Sequence, residues 1–407
     1  MTAGSPPDAG GSWWRAGPRV WSDRILIASA FTYSAGWGAG SLVVLLGLFF
    51  WEWRRGEPVW QRTALDRPIV IFLCVLLISS LWSEWRWKAL SGMVHVVVGG
   101  FIGLRAVTLA FLRDETFATR MLRVWAVGGG IIGGVAVLTS ALGIGVPDGR
   151  VHLGIGSNGV GTVLAVAGVL LLGVFAMESG RRKVFACAGV SAGVLGLALT
   201  LSRGGWLGAA IGTATLVMLV PWRRLAVCGL VALLVVAAAS PLILTRAHAT
   251  QSTRLGETLD TEGIRSRPAI WRTVPRILAG HVLLGIGFTA FPLAYRRVVP
   301  EAVPLDLFPH AHNIFLSFLA ETGVAGLGAF IGVLAAAVAA MWRWHTAGHP
   351  GSPDRIVSAS ALAALAALLG HQLVDVTLFG VHIAVALVYF MALGAAGDLR
   401  RRSGMVG

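Results

Sequence analysis

The sequence predicts an all-α polytopic membrane protein with about 12 transmembrane helices, and three observations carry that expectation. Apolar residues make up 56% of the 407 positions and charged residues only 13%, against roughly 25% charged in an ordinary soluble domain. Apolar runs recur from Ile25 to Ala396. They are about 16 to 30 residues long, as a hydrocarbon core of ~30 Å demands of a helix. The period-2 alternation of an outer-membrane barrel is missing, and backbone groups cannot stay unpaired in lipid, so the runs must be helices.

Taken in order, the runs between charged gaps place the spans. Residues 25–51 are long and interrupted at Gly36, Gly38 and Gly40, which reads as a tight hairpin crossing twice. Further spans are expected near 68–82, 89–111, 122–144, 158–177, 184–201, 205–220 and 225–245. After a long polar interval come 313–341, 356–373 and 380–396. The chain thus divides into an N-terminal membrane region (1–245, about nine spans), an extramembrane segment (246–312) and a C-terminal membrane region (313–407, about three spans). No 20–50-residue repeat and no inverted halves are evident.

The formal charge of +14 does not point to nucleic acid. Lysine occurs only at Lys88 and Lys183, and the arginines sit in the gaps between apolar runs, where topogenic charge and anionic lipid account for them. Arg54/Arg55/Arg62/Arg67, Arg113/Arg120/Arg123, Arg181/Arg182/Lys183, Arg223/Arg224, Arg343/Arg355 and Arg400/Arg401/Arg402 fall on alternate gaps. The opposite short gaps hold only Arg86 with Lys88, Arg150 and Arg203. By the positive-inside rule the first set is cytoplasmic, as are both termini, and 246–312 lies outside. The first 24 residues lack a cleavable apolar core and read as a short cytosolic tail. Cys74, Cys187 and Cys228 each fall inside an apolar run without CxxC spacing, so they read as small buried residues.

Candidate chemistry gathers on the outer side. The interval 246–312 holds eight arginines, Arg246, Arg254, Arg265, Arg267, Arg272, Arg276, Arg296 and Arg297. Arginine without lysine suits bidentate contact with phosphate oxygens. The alternative is headgroup contact by amphipathic helices, such as Arg265–Gly280 with Ile270, Trp271, Val274 and Ile277 on its apolar side. Composition alone leaves the two readings level. Arg203, in Ser202-Arg203-Gly204 at an outer span boundary, either snorkels to water or pairs with an anion.

The segment from Pro309 to Gly326 is the richest. His312 lies where the exterior interval meets the next span, and Asn313, Ser317 and Glu321 then recur every four residues as one polar stripe. Glu321 sits about two and a half turns into the bilayer, where a carboxyl needs a partner or a proton. It is rotated roughly half a turn from His312, so the two should not pair on one straight helix. An interfacial histidine can be a hydrogen-bonded surface group or a catalyst, and position alone favours the former. His310 points elsewhere if the helix has already begun there, and should then tolerate substitution.

Together these residues resemble the O-antigen ligase and polymerase superfamily of bacterial membrane proteins. The resemblance is carried by His312-Asn313 with Glu321-Thr322-Gly323 and Gly326, and by Arg267-Pro-Ala-Ile-Trp271 with Gly285-Ile-Gly287-Phe288. Ser202-Arg203-Gly204 adds a third mark. A looser one is Gly156-Ser-Asn158-Gly-Val-Gly161, which reads equally well as a helix cap at Ser157 or Asn158. The recognisable marks span about residues 150–340, and a proline usual before Gly-x-Gly is missing in His281-Val-Leu-Leu-Gly285.

The resemblance implies a GT-C-like fold in the bacterial inner membrane, with an active site facing the periplasm and short helices in the periplasmic loop. It implies a donor glycan on undecaprenyl pyrophosphate and a lipid A–core acceptor, joined with inversion at the anomeric carbon in lipopolysaccharide assembly. His312 is then the base, Arg203, Arg265 and Arg267 receive the pyrophosphate, and Asn313, Glu321 and Trp271 support them. No cofactor is expected, and no metal, since no acidic pair stands at metal-ligand spacing on the outer side. Within the family the rival is an O-antigen polymerase. A protein O-oligosaccharyltransferase would be expected to carry further sequence beyond Arg402. From another class the rival is a lipid-linked glycan transporter or flippase, which predicts polar residues at mid-bilayer depth. Glu321, His95 and His371 with Asp375 are the few available.

Overall fold

A computed structural model describes residues 23–25, 27–29, 47, 49–50, 53–54, 61–144, 149–221, 223, 225–241, 243–245, 267–299, 310–378 and 381–404. The expected hairpin at 25–51, and Arg265 with the rest of 246–266, therefore lie largely or wholly outside the described residues. Among the described residues every regular element is helical.

The first helices are α1 (Asp66–Trp82) and α2 (Arg86–His95), the latter running through a π-helical stretch (Val96–Ile102) into α3 (Gly103–Arg113). Then come α4 (Phe117–Leu142), α5 (Gly156–Met177), α6 (Gly180–Thr200), α7 (Arg203–Leu219) and α8 (Ala226–Ala238). The segment expected outside the membrane contributes α9 (Arg267–Leu278) and α10 (Phe291–Val298). The chain finishes with α11 (Ile314–Ala347), α12 (Pro353–Gln372) and α13 (Val381–Arg402). Each apolar run expected between 68 and 396 coincides with one of these helices, α2 and α3 sharing one run. Six helices, α4, α5, α6, α11, α12 and α13 from Ile383, are long and apolar enough to cross a membrane.

Within the bundle α5 is the central helix, packed on α4, α6, α7 and α12. Two lipid-like surfaces have no hydrophobic reason to meet in a membrane, so close contact is made through small residues. Gly208 and Gly212 of α7 lie against Ala367 and Ala363 of α12 with no room for a Cβ. Trp125, Tyr389 and Phe390 pack ring to ring where α4 meets α13.

The charged gaps expected on one side do share one end of the bundle. Arg400 donates to the Phe111 carbonyl and pairs with Glu115, Arg123 with Glu178, and Arg343 with Asp398. The remaining gaps meet at the opposite end, where the exterior segment docks. There α9 buries Ile270, Thr273, Val274 and Ile277. Of these, Ile270, Val274 and Ile277 form a small core with Ile286, Ala290, Phe291, Ala294, Tyr295, Ala311 and Ala320. The apolar face of the expected amphipathic helix is thus covered by protein. The cause is the turn at 281–290, which brings α10 back onto it.

That turn is held by a break in α11. Gly323 has φ 66° and ψ −169°, a conformation open only to glycine, and interrupts the helix. The freed backbone is paired by the turn: Gly287 N–H donates to the Glu321 carbonyl (2.8 Å), Ile286 N–H to Ala320, and Val324 N–H to Val282. A Cβ on Gly285, itself at positive φ, would collide with the Glu321 backbone. Ser79 of α1 and Ser83 just past its end close the other side by donating to the carbonyls of Leu284 (2.6 Å) and Ile286 (2.5 Å). Two motifs far apart in sequence, Gly285-Ile-Gly287 and Glu321-Thr322-Gly323, are the two halves of one joint.

Candidate active site

The site is built where three helices begin. Asn313 caps α11 by accepting from Leu316 N–H (3.0 Å), and its amide donates to the Leu373 carbonyl beyond α12 (2.8 Å). Ser202 caps α7, accepting from Gly205 N–H (3.2 Å). Asn158 lies in the first turn of α5. The N-terminal dipole end of each helix therefore faces the same region, which favours an anion there.

At the centre is Asp375, in the short connection after α12, with its side chain 5% exposed. His312 Nδ1 lies 2.8 Å from Oδ1. Arg267 Nη2 donates to Oδ2 at 3.2 Å, and Asn158 Nδ2 donates to the same oxygen. Val376 N–H donates to Oδ1 (2.8 Å). Burial alone would raise the carboxyl, but the hydrogen bond and charge of His312, with the charge of Arg267, hold it well below the usual carboxylate range. A charged Asp375 accepting from Nδ1–H fixes the imidazole in the tautomer that leaves Nε2 with its lone pair.

His312 itself is held in the left-handed region, φ 53°, which a residue with a Cβ adopts at a cost of about 1–3 kcal/mol. Its N–H donates to His310 Nδ1 (3.1 Å), and the two rings meet edge to face at 4.6 Å. Trp271 Nε1 donates to the Ala311 carbonyl (2.8 Å), and Ala311 N–H to Ser317 Oγ (3.2 Å). These hydrogen bonds hold one backbone shape at residues 310–313.

The residues expected from sequence divide accordingly. His312 and Arg267 meet on Asp375, with Trp271 and Asn313 as backbone supports. Arg203 is exposed at the start of α7 and pairs with no described residue. It joins the site through its neighbour Ser202, whose hydroxyl donates to Asn158 Oδ1 (3.0 Å). Glu321 is fully buried away from this cluster and accepts from Phe291 N–H (3.2 Å) at the start of α10, so it secures the exterior segment. Arg265 lies outside the described residues.

His310 does not point elsewhere. The helix begins only at Ile314, so His310 and His312 sit in irregular chain and face each other. Burial, with the neighbouring His312, pushes His310 down to about 4, so it is neutral near pH 7. Asn158 is not a cap either, since α5 starts without a side-chain cap. It is a bridge, taking Arg150 Nη2 (3.2 Å) and the Ser202 hydroxyl on its oxygen and giving its amide protons to Asp375. Asp375 is the central residue that sequence reasoning missed as part of the site. Its signal was an acid four residues after a histidine at the outer end of a span.

Folding creates a cluster of possible metal ligands that sequence spacing does not show. Donor atoms of His310, His312 and Asp375 lie within 4.8 Å of one another. The donor set nevertheless fits a cation poorly. A carboxylate has about four acceptor positions, and His312, Val376, Arg267 and Asn158 direct four donors at those of Asp375.

A sequence model of the O-antigen ligase family matches residues 188–331, which contain Arg203, Arg267, His312 and the Gly285–Gly323 joint. The match supports the chain as a member of the O-antigen ligase/polymerase superfamily. No curated protein matches it. The likeness suggests a glycosyltransferase-like enzyme of the O-antigen ligase/polymerase group. Asn158 and Asp375 fall on either side of the O-antigen ligase match, so the matched stretch holds the histidine and arginines while their anchors come from α5 and from the end of α12.

Proposed function

We propose that this protein is an O-antigen ligase, transferring a glycan from undecaprenyl pyrophosphate to a sugar hydroxyl of lipid A–core. The observation that supports this reading best is a single buried carboxylate holding both a histidine and an arginine at the mouth of a span. His312 Nε2 takes the acceptor hydroxyl proton, the oxygen attacks the anomeric carbon, and the bond to the pyrophosphate breaks with inversion. Arg203, Arg267 and Arg265 receive the departing pyrophosphate, helped by the helix N-termini beside Arg203 and Arg267. The donor is already activated, so the reaction uses neither nucleotide nor metal.

The same reading places the protein in a bacterial inner membrane with about 12 spans, residues 246–312 in the periplasm and both termini in the cytoplasm. The three-part division at 245 and 312 follows from it. An impermeant thiol reagent should leave a cysteine at position 182 unlabelled in intact spheroplasts.

The deciding experiment is purified protein with lipid-linked O-antigen and lipid A–core, with and without chelator. Ligated lipopolysaccharide in both tubes is the expected result. A product consisting only of lengthened lipid-linked chains would move the assignment to polymerase, and an absolute requirement for magnesium would overturn the arginine account. Solute uptake without any transfer would favour the transporter.

A further inference from the structure

Asp375 is set by its loop, and the loop is set from beneath by a buried amide. Gln372, the last residue of α12, is fully buried. Its Oε1 accepts from both Thr377 N–H (3.0 Å) and Leu378 N–H (3.0 Å), and its Nε2 donates to Thr377 Oγ1 (2.8 Å). One side chain thereby closes the turn that begins at Leu373 and carries Asp375 at its middle. From the other side, Val374 N–H and Asp375 N–H donate to the His371 carbonyl (3.1 and 3.2 Å).

The hydrogens of this network follow from donor counting. Thr162 Oγ1 donates to the Asn158 carbonyl (3.0 Å), so it must accept from Thr377 Oγ1 (2.9 Å) and from His371 Nδ1 (3.1 Å). Protons therefore point one way, from the Gln372 amide to Thr377, to Thr162, to the backbone of Asn158. Asn158 is the residue whose side chain donates to Asp375. The clamp thus holds the carboxylate by its own loop and by the helix turn that supplies its amide donor.

We infer that Gln372 is a positioning residue for glycosyl transfer, its amide fixing the Asp375 loop and hence the reach of His312 and Arg267. The inference rests on the proposed enzymatic reading. A displacement of order 1 Å at a reacting group costs roughly 10²-fold in rate, and loss of the clamp leaves two buried N–H groups to find new partners. Gln372→Met keeps the volume and removes the amide. Thr377→Val is the milder variant, since it keeps the backbone half of the clamp and deletes only the hydroxyl.

The test combines hydrogen–deuterium exchange with kinetics on the full-length protein in detergent or nanodiscs. In Gln372→Met, amides of residues 373–378 should exchange at least about tenfold faster while the rest of α12 is unchanged. Turnover should fall about 10- to 100-fold with KM for the donor nearly constant. Thr377→Val should show the same pattern at a few-fold. In an Asp375→Asn background, Gln372→Met should add little, because both changes act through one carboxylate. Unchanged exchange, wild-type turnover in Gln372→Met, or a full additional loss on top of Asp375→Asn would each overturn the inference. A wild-type protein without transferase activity is a failure of the enzymatic reading itself, and is seen before any variant is compared.

Discussion

Two buried aspartates stand at opposite ends of the bundle, each surrounded by cations, and they do different things. Asp398, 2% exposed, accepts from Nε and Nη2 of Arg343 (2.9 and 3.0 Å), with Arg401 (3.2 Å) and Arg402 (2.7 Å). Asp375 takes one arginine, one histidine and one asparagine. Arginine is permanently charged, so the Asp398 cluster is a static tie between α11 and α13. An imidazole can take a proton on one ring nitrogen while bonded through the other, which is the part proposed for His312 on Asp375. An acid among arginines anchors helices, whereas in the proposed reading a histidine in place of one arginine makes the carboxylate a support for proton transfer.

The comparison breaks hardest at His312. General-base help is typically worth roughly 10²–10⁴-fold in rate, so His312→Ala should nearly abolish transfer while the protein inserts, folds and still binds donor. Near-normal turnover, or activity lost only in step with folded protein, would make the Asp375 cluster as static as the Asp398 one.

Next come the two aspartates themselves. Asp375→Asn should lower turnover roughly 10²-fold or more, since the imidazole loses its orienting charge. Asp398→Asn should leave turnover per folded molecule intact and reduce thermal stability by about 1–2 kcal/mol, its arginine partners being partly exposed. Kinetics and melting curves on both variants check this. Similar turnover losses in both would erase the distinction.

The arginines sharpen it further. Arg203→Lys and Arg267→Lys keep charge but lose the fork, and turnover should fall about tenfold in each if phosphate contact is bidentate. Arg297→Lys, at a site exposed and paired with Glu84 (2.7 Å), should cost less than about twofold. Equal, mild losses at all three would favour headgroup contact.

The smallest effect concerns pH and stability. His310 has a folded value of about 4 against an ordinary ~6.5, so the unfolded chain binds its proton first as pH falls. Its contribution is present above about pH 6.5 and is lost progressively down to about pH 4. The depressed Asp375 is lost only below about pH 4, where the unfolded carboxylate itself protonates. Melting temperature should decline across the upper window in the wild type and stay flatter in His310→Gln. Identical slopes would mean that His310 is not buried neutral.

The helices were legible because lipid imposes a simple rule on composition: α1 to α8 and α11 to α13 all lie on apolar runs expected from hydropathy alone. The grouping of arginine gaps at one end was legible for the same reason. Glu321 was legible as a constrained carboxyl but not by partner. Its acceptor role depends on Phe291, thirty residues earlier, being folded back by the 281–290 turn. Likewise the helix periodicity around Pro309–Gly326 could not show that residues 310–312 stay irregular, which is what turns His310 toward His312.

The sequence by itself pointed to the class of the protein and the course of its helices, and it offered the histidine and arginines as candidates, because hydropathy, charge spacing and residue chemistry are local properties. Only the tertiary structure decided what joins them. Asn158, His312 and Asp375 are 217 and 63 residues apart along the chain, and no local pattern encodes a contact of that range. It arises because α5, α11 and the end of α12 pack side by side, and a buried carboxylate in that junction must collect every donor within reach.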